Sequence, residues 1–490
     1  MTAKRVTRPT LIRNASWVIA FDATGRSGAG RHVYRRDVDL KLADGAITEI
    51  AAGGTLKPGK GDTALDARGK LVMPGLVNIH SHPSTEPAYR GVREDHGVPE
   101  QNMTGLFERS QAFNLDVPGR RAATTIAYGE MLASGVTTVA DLSSAFDGWL
   151  DVMRKSRLRV YAAPGYASAR WGMSSPAVVT WRWDEAKGRE AFERTTKLLD
   201  EIDADPSGRL KGVVYPMQVD TVTEELFRAS HALAEKTNRP LMSHLVQTVV
   251  EVREMIRRHG MTPVEWAQRI GVLSPRSTWG HCIFIDEHPQ IGWHTRRDIA
   301  IMAESGMTVA HCPSPFARYG AALGTLAGYQ ARGVNVGLGT DVAPHNLIEE
   351  MRVAILAARV TSRDIRAADP AAAFHAATIG GAKALGRDDL GRIAKGARAD
   401  LVLVDLAHPL MQPARDPLRA LVWHAADRAV HTVLIDGEVV FSDGRAPGLD
   451  IAEATATLSE SQARMLADAP KHDYARRSGE NIAPLSLPLK

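Results

Sequence analysis

The pattern of hydrophobic and polar positions is strand-like at both ends of the chain. Five short runs are rich in alternating or β-branched apolar residues: 10–21, 37–50, 63–72, 399–405 and 430–441. Turn signals interrupt or separate them, such as Asp44-Gly45 and Asp436-Gly437. We expect the two ends to pair into one small β-sandwich domain, with its parts at residues 1–73 and 394–450.

The middle of the chain has a different pattern, in which short apolar runs alternate with longer amphipathic stretches. Eight runs are strand candidates: 71–82, 136–143, 159–168, 210–220, 240–245, 277–285, 307–314 and 334–343. Helical periodicity fills the intervals, for example at 120–133, 185–202 and 222–236. Strict alternation of strand and helix predicts a parallel sheet with helical crossovers. Eight such units favour an α/β fold with a closed (β/α)8 TIM-type barrel at residues 74–393.

Two segments lie outside this repeat. Residues 170–184 follow the third strand candidate and contain Trp171, Trp181 and Trp183. They predict either an aromatic lid over a pocket or a packed surface loop. Residues 451–490 contain one helical pattern and then a Ser/Pro tail, for which we expect an arm on a neighbouring subunit or a mobile end.

Composition narrows the classes of partner. The 490 residues include 60 Lys plus Arg and 56 Asp plus Glu, a formal charge of +4 without a basic cluster, so we expect no nucleic-acid partner. We also expect no membrane span and no signal peptide, because the chain has no apolar run of sufficient length. Cys282 and Cys312 are the only cysteines and do not make a disulfide framework, so we expect a cytoplasmic location.

The strongest chemical signal is His80-Ser81-His82, at the end of the first barrel strand candidate. Residues i and i+2 of a strand point to the same side, so both imidazoles can reach one cation. A single His-x-His is short and common, and one of its histidines could equally be a solvated loop residue.

Further histidines and one acid recur at matching positions of later strands. His244 ends the fifth candidate, His281 and His311 lie in the sixth and seventh, and Asp341 ends the eighth. The carboxyl ends of barrel strands face the active site. We therefore predict that His244 and Asp341 join the paired histidines around one divalent metal. His281 would act beside them, while His311 either contacts substrate or is a buried core residue.

The proposed ligand set suggests the chemistry. Imidazole and carboxylate suit Zn²⁺, Fe²⁺, Mn²⁺ or Co²⁺, of which Zn²⁺ is our first expectation, and four protein ligands of this kind leave room for a water. Asp341 can take the proton of that water and later pass it to the leaving group. His281 can hold the attacking oxygen or stabilise the developing negative charge. Asp341 and His281 are thus the predicted catalytic residues.

Several longer motifs carry a family resemblance. In chain order they are Pro74-Gly75-Leu76-Val77 before the paired histidines, Arg90-Gly91, Gly135-Val136-Thr137-Thr138, Ala310-His311-Cys312-Pro313, Leu338-Gly339-Thr340-Asp341, Glu350-Met351-Arg352, 377–386 and 396–401. With these motifs the chain resembles the amidohydrolase superfamily, in the branch of cytosine deaminase, atrazine-type chlorohydrolases and adenosylhomocysteine-type deaminases. The resemblance covers about residues 10 to 445.

The resemblance implies a small-molecule substrate and the same ligand set of His80, His82, His244 and Asp341. It also implies that a histidine at position 281 hydrogen-bonds the reacting water or the substrate. Two-metal members carry a modified lysine on the fourth strand, but the only lysine of that strand here is at its opposite end. A site with one metal is therefore predicted, and we expect a homo-oligomer, as is frequent in such families.

One departure from the family pattern concerns proton transfer. Deaminases of this branch usually carry His-x-x-Glu after the fifth strand, where the Glu protonates a ring nitrogen, but this chain has Gln247 at that position. A glutamine can hydrogen-bond but cannot exchange a proton usefully. Glu251, one helical turn later, and the loop acids Glu86 and Glu94 are alternatives, although solvated positions are the simpler interpretation for all three.

The candidates for substrate contact are Gln247, His311, Gln218, Tyr89 and Arg90, although Arg90 could equally form a structural ion pair. Three functions stay open. The first is hydrolysis of an amide, urea, carbamate or amidine-like carbon–nitrogen bond of a small molecule. The second is hydrolytic deamination or dechlorination of a nucleobase-like or triazine-like ring. The third is a catalytically inactive barrel that serves as a binding module.

Overall fold

The computed structural model describes residues 8–24, 31–94, 97–101, 103–323 and 326–489. Residues 1–7 of the expected N-terminal domain part and Lys490 of the expected tail lie outside the described residues. No helix in these ranges is both long and apolar enough to cross a membrane.

The described strands, in chain order, are β1 (Leu11–Asp22), β2 (Arg31–Ala43), β3 (Ala46–Ala52), β4 (Ala64–Asp66), β5 (Lys70–Pro74), β6 (Leu76–Ser81), β7 (Val136–Ser143), β8 (Arg159–Pro164), β9 (Ala169–Ser175), β10 (Val178–Trp183), β11 (Leu210–Gly212), β12 (Leu241–Leu245), β13 (Ser277–His281), β14 (Thr308–His311), β15 (Asn335–Leu338), β16 (Leu401–Asp405), β17 (Val430–Ile435) and β18 (Glu438–Ser442).

The described α-helices are α1 (Thr104–Ala112), α2 (Val117–Ala133), α3 (Trp149–Ser156), α4 (Glu185–Asp203), α5 (Glu224–Thr237), α6 (Val249–His259), α7 (Pro263–Arg269), α8 (Asp298–Ser305), α9 (Pro313–Arg318), α10 (Leu326–Ala331), α11 (Leu347–Ser362), α12 (Pro370–His375), α13 (Gly381–Ala384), α14 (Pro417–Ala420), α15 (Ile451–His472) and α16 (Gly479–Ile482).

One sheet joins the two ends of the chain, as the sequence pattern predicts. Its strand order is β18-β17-β16-β5-β1-β2-β3, with β4 paired to β1. Strand β16 pairs antiparallel with β5, so that Leu403 lies opposite Val72. Alternate residues such as Leu40, Leu42 and Ile47 are buried against one face of this sheet, as the period of two requires. The second layer of the expected sandwich stays a prediction.

The central strands form a TIM-barrel-type α/β fold. They make two parallel sheets, in the orders β11-β8-β7-β6 and β12-β13-β14-β15. Isolated parallel bridges connect the sheet edges, Ser81 with Asp341 at one side and Val214 with Leu241 at the other. The strands are almost continuously buried, as expected where helices cover a parallel sheet. A continuous closed ring of eight strands stays a prediction.

Several strands end earlier than the hydrophobic pattern predicts, for local reasons. The fourth barrel strand is regular only over β11, and the chain beyond it contains Pro216, which has no N–H to donate. The seventh ends at His311, because Pro313 begins α9 at a position where proline suits a helix. The eighth ends at Leu338, three residues before Asp341 with its positive φ of 59°.

The predicted helices begin at capping residues that the apolar pattern does not show. α2 begins three residues before the predicted start, because Asp116 accepts a hydrogen bond from the N–H of Gly119 and Pro118 occupies the first turn. Asp184 caps α4 and Thr223 caps α5 in the same way.

The tryptophan-rich insertion is a β-hairpin, β9 and β10, that follows the third barrel strand. The indole N–H groups of Trp171 and Trp181 both donate to Oδ2 of Asp220, at 2.9 and 2.7 Å. The guanidinium of Arg258 lies 4.8 Å from the ring centre of Trp183. The hairpin is therefore anchored to the barrel at the carboxyl end of its fourth strand.

The C-terminal segment packs on its own barrel. In α15, Leu458 and Met465 lie in one buried cluster with Ala122 and Ile126 of α2. Gln462 donates from Nε2 to the carbonyl oxygens at positions 88 and 90, at 2.6 and 2.9 Å. The apolar face of this helix is thus covered within the chain, and contact of the segment with a neighbouring subunit stays a prediction.

Candidate metal centre

The four predicted ligands lie together at the carboxyl ends of the barrel strands. The ring nitrogens of His80, His82 and His244 lie within 4.8 Å of one another. Oδ1 of Asp341 is 3.4 Å from Nε2 of His80 and 3.2 Å from Nε2 of His82. Around a tetrahedral ion with bonds of about 2.0–2.1 Å, neighbouring ligand atoms are about 3.3 Å apart. The spacing therefore fits a bound cation.

Hydrogen bonds orient two of these imidazoles. Nδ1 of His82 lies 2.6 Å from the carbonyl oxygen of Leu142, and Nδ1 of His244 lies 2.6 Å from that of Met217. Each Nδ1–H can thus donate to the backbone, which leaves the Nε2 lone pair for a metal, as in known histidine sites. Nε2 of His80 is buried without a hydrogen-bond partner among the described residues. The three Nε2 atoms are therefore better suited to bind a metal than to make hydrogen bonds in a protein core.

The charges of the cluster agree with this assignment. Burial lowers the pKa of His80 and of His244, which keeps both rings neutral and able to ligate. Burial acts in the same direction on His82, but the hydrogen bond and the charge of Asp341 raise its pKa above the usual value. Burial alone would raise the pKa of Asp341, yet the imidazoles around it hold that pKa well below its ordinary range. A carboxylate thus faces three imidazoles.

His281 lies beside the ligands rather than among the four. Its ring centre is 4.8 Å from that of His80 and 5.4 Å from that of His244, and neither of its ring nitrogens has a partner among the described residues. Burial lowers its pKa well below the usual value. The glycine at position 280 leaves room for the His80 ring, because a Cβ there would lie 2.7 Å from Cε1 of His80.

A second group of possible ligands shares part of the cluster. The donor atoms of His80, His281 and Cys312 also lie within 4.8 Å of one another. Burial raises the pKa of the Cys312 thiol well above its usual value. Since the thiolate is the form that binds metals, the set with the carboxylate of Asp341 is the better donor set.

Three of the predicted substrate residues border the cluster. Gln218 forms an isolated bridge with His244, and His311 is the last residue of β14. Nδ1 of His311 is buried without a partner among the described residues, and burial lowers the pKa of this histidine to about 4. Oε1 of Gln247 is likewise buried and has no partner in the described chain. His311 and Gln247 therefore have hydrogen-bonding capacity left for a ligand.

The other two predicted substrate residues make structural contacts. Arg90 forms an ion pair with Glu130 of α2, which is the structural alternative considered for it. The ring of Tyr89 lies under the guanidinium of Arg109, 4.3 Å from the ring centre. Arg90 is thus occupied by a structural ion pair, whereas Tyr89 contacts the cation of Arg109.

The acids near the site differ in their surroundings. Glu251, taken from sequence as a solvated helix position, is fully buried and accepts hydrogen bonds from Gln218 and from the backbone of the loop at 246–247. Glu94 only approaches Arg318, at 3.9 Å. Glu86 is also largely buried, 3.4 Å from Nη2 of Arg109. The sequence pattern does not identify Arg109 as a site residue, because it lies in a helix without a repeated chemical motif.

Two recesses lie elsewhere on the molecule. One of about 840 Å³ is lined by Arg157, Arg209 and Asp436, and one of about 1090 Å³ by Lys211 and Arg387. Both open at the amino ends of barrel strands and contain none of the clustered histidines. Volume alone does not identify a functional site, whereas the histidine cluster contains side chains that can bind a metal.

Comparison with known proteins supports this interpretation. A model described as the amidohydrolase family matches residues 71–440. A 5′-deoxyadenosine deaminase of Methanothermobacter thermautotrophicus is 31% identical over 425 residues, which are 85% of this chain and 93% of that protein. A 5-methylthioadenosine/S-adenosylhomocysteine deaminase of Nitratidesulfovibrio vulgaris is 30% identical over 424 residues, 84% of this chain and 90% of that protein.

Among solved structures, an adenosine deaminase from Xanthomonas campestris with bound zinc is similar, with a TM-score of 0.77 at 25% identity. The similarity covers 94% of this chain and 98% of that one. Together with the family match over most of the chain, these similarities lead to one conclusion: the chain belongs to the amidohydrolase family and is a metal-dependent hydrolase.

Proposed function

We propose that this chain hydrolyses a non-peptide carbon–nitrogen bond of a small molecule and that one divalent metal, Zn²⁺ first, is held by His80, His82, His244 and Asp341. The observation that carries the proposal is the spacing of 3.2 and 3.4 Å between Oδ1 of the carboxylate and two imidazole Nε2 atoms. Lys211, in β11, lines a recess that contains none of the clustered histidines, which supports one metal rather than two.

The residues of the chain have distinct roles in this reaction. A metal bound there supplies Lewis acidity, which polarises a substrate carbonyl and lowers the pKa of water to about 7. Asp341 takes the proton of the attacking water and passes it to the leaving nitrogen. His281 donates a hydrogen bond to the oxygen on which negative charge develops, from a buried position that excludes water.

The leaving group distinguishes two candidate substrates. An amide, urea, carbamate or amidine-like bond can be cleaved without protonation of a ring nitrogen, which suits Gln247. Deamination of a heteroaromatic ring is the second candidate, and the deaminase names of two relatives favour it. Glu251 does not substitute for the missing acid, because both of its oxygens accept hydrogen bonds from the wall of the site.

The test uses purified chain reconstituted with zinc. Metal stoichiometry is measured by elemental analysis, and ammonia or carboxylate release is followed on a panel of amides, ureas, carbamates and adenine nucleosides. Asp341→Asn should lower turnover by about 10³-fold or more, since the same group is ligand and proton carrier. Asp364→Asn, on the surface, is the control. Zinc bound with no hydrolysis across the panel would contradict the proposal and favour a binding module.

The proposal also covers the domain arrangement, the oligomeric state and the cellular location of the chain. We infer that residues 74–393 form a closed barrel and that residues 1–73 and 394–450 form a β-sandwich beside it. Residues 451–490 are then a C-terminal helical arm or tail whose helix packs on the barrel. A homo-oligomer in the cytoplasm completes the proposal. Scattering in solution and localisation of the tagged chain would test these points.

A further inference from the structure

An ion pair lies at the rim of the candidate metal centre. Glu86 begins a 3-10 turn four residues after His82, and its N–H donates to the carbonyl of His82 at 3.2 Å. Arg109, in α1, places Nη2 at 3.4 Å from Oε1 of Glu86. Their side chains are only 10 and 11% exposed. Two opposite charges are thus almost buried, and the carboxylate is four residues from a proposed metal ligand.

The hydrogen-bonding capacity of this pair is mostly unused. A guanidinium has five N–H donors and a carboxylate has about four acceptor positions. Within the described ranges, the long contact of 3.4 Å is the one side-chain hydrogen bond made by either group. The ring of Tyr89 covers one face of the guanidinium, a contact that uses none of its N–H donors. Buried charges with so few partners are costly unless another group completes them.

A third polar group is close to the pair. The hydroxyl of Tyr319 is buried and has no hydrogen-bond partner among the described residues. The charges of Arg109, Glu86 and Asp341 all act on this phenol, which places it in the same neighbourhood. A ligand that enters the centre from this side therefore meets a donor edge, an acceptor and a hydroxyl.

We propose that Glu86 and Arg109 bind a neutral group of the substrate that offers both a hydrogen-bond donor and an acceptor, such as a primary amide, a lactam or the edge of a urea. A carboxylate would approach Arg109 but would also face Glu86 and Asp341. An ammonium group would face the guanidinium. A neutral donor–acceptor group satisfies both charges and leaves neither unpaired. The inference rests on the proposed function only in that it concerns the same site.

Three fragments with one ring and different charge test the inference: benzamide, benzoate and benzylamine. Their dissociation constants are measured by calorimetry on the full zinc-loaded chain, so no turnover is needed. The wild type should bind benzamide at least tenfold more tightly than either charged fragment. Glu86→Gln should shift the ratio toward benzoate by tenfold or more, and Arg109→Met should shift it toward benzylamine. Arg121→Met, in a surface ion pair with Asp147, should change neither ratio.

The outcomes separate this inference from the proposed function. Ratios that stay within twofold in both variants, or a wild type that does not prefer benzamide, would overturn the inference even if hydrolysis is found. A preference that switches as described supports it even if no substrate is hydrolysed. If Arg109→Met does not fold, as judged by melting temperature and zinc content, Glu86→Gln decides alone, because it keeps the shape of the side chain.

Discussion

Gln218 donates a hydrogen bond of 3.0 Å from Nε2 to Oε2 of Glu251. The same oxygen accepts the N–H of Gln247 at 2.9 Å, and the other accepts the N–H of Val246 at 2.7 Å. Burial, and then the charge of Asp220, raise the pKa of Glu251 to about 8. Because both of its oxygens accept these hydrogen bonds, the acid supports the loop that follows His244 and is not aimed at a substrate.

Replacement of Glu251 by alanine tests that supporting role. Three donors would lose their acceptor inside the protein, and each buried unpaired donor costs roughly 1–3 kcal/mol. We expect the free energy of unfolding to fall by about 3 kcal/mol or more in urea denaturation. Glu225→Ala, exposed in α5, should change it by less than about 0.5 kcal/mol. Equal effects of the two variants would exclude the supporting role.

The glutamine at position 247 sets the expected leaving group. A carboxyl group at this position could donate a proton to a ring nitrogen and recover it, which an amide cannot do. Gln247→Glu should therefore raise ammonia release from an adenine nucleoside by roughly tenfold or more, toward the usual contribution of a general acid. Release is followed with a coupled ammonia assay on the zinc-loaded chain.

Gln268→Glu, exposed on α7, adds the same charge away from the site and should leave the rate of ammonia release unchanged. A rate that stays at the wild-type value in Gln247→Glu would mean that ring protonation does not limit the reaction.

The proximity of the three histidines and the aspartate could be predicted from the sequence because its logic is local and repetitive. The i, i+2 spacing orients His80 and His82 to one side of a strand, and parallel strands bring His244 and Asp341 to the same edge. The pair of Glu86 with Arg109 could not be found in this way. Its geometry depends on how α1 packs after the first strand, which no repeated pattern encodes.

The same distinction applies to the fold. Alternation of apolar runs predicts strand and helix order, but the ends of elements depend on single residues such as Asp116 and Pro313. The hairpin at 169–183 depends on a buried acceptor, Asp220, which is distant from its tryptophans in sequence. The contact of α15 with α2 is equally non-local, since an apolar helix face does not specify its partner.

Glu350 makes the stability of the chain depend on pH. Burial raises its pKa to about 8 from an ordinary value of 4.5, although Ser314 donates to it. The folded chain therefore binds one more proton than the unfolded chain between these two values. The stabilisation that comes from this extra proton is complete below pH 4.5 and is lost as the pH rises from there through 8. Between pH 6 and 8 the wild type should lose about 2 kcal/mol relative to Glu350→Gln.

Urea denaturation of both proteins at the two pH values measures this difference. Glu349→Gln, in the same helical turn, is the matched control and should follow the pH dependence of the wild type. Parallel curves for wild type and Glu350→Gln would contradict the assigned protonation of this buried acid.

Asp220 anchors the tryptophan hairpin to the barrel through hydrogen bonds from Trp171 and Trp181. In Asp220→Ala, two indole N–H groups lose a carboxylate acceptor, at about 1.5 kcal/mol each. The fraction of molecules with an open hairpin should then rise roughly 100-fold. The barrel strands make their own backbone pairs, so the global fold should be kept while the hairpin opens. Faster proteolysis within 169–183 and a red shift of tryptophan fluorescence would show the opening.

The matched control is Asp151→Ala, an exposed acid on α3 that should alter neither measurement. The comparison also separates two interpretations of the hairpin. If it covers the site, substrate KM should rise in Asp220→Ala while the zinc content stays unchanged, because the proposed metal ligands are on other strands. If proteolysis and fluorescence change but KM does not, the hairpin is a packed surface element and not a lid. No change in proteolysis would show that the two indole hydrogen bonds do not hold the hairpin in place.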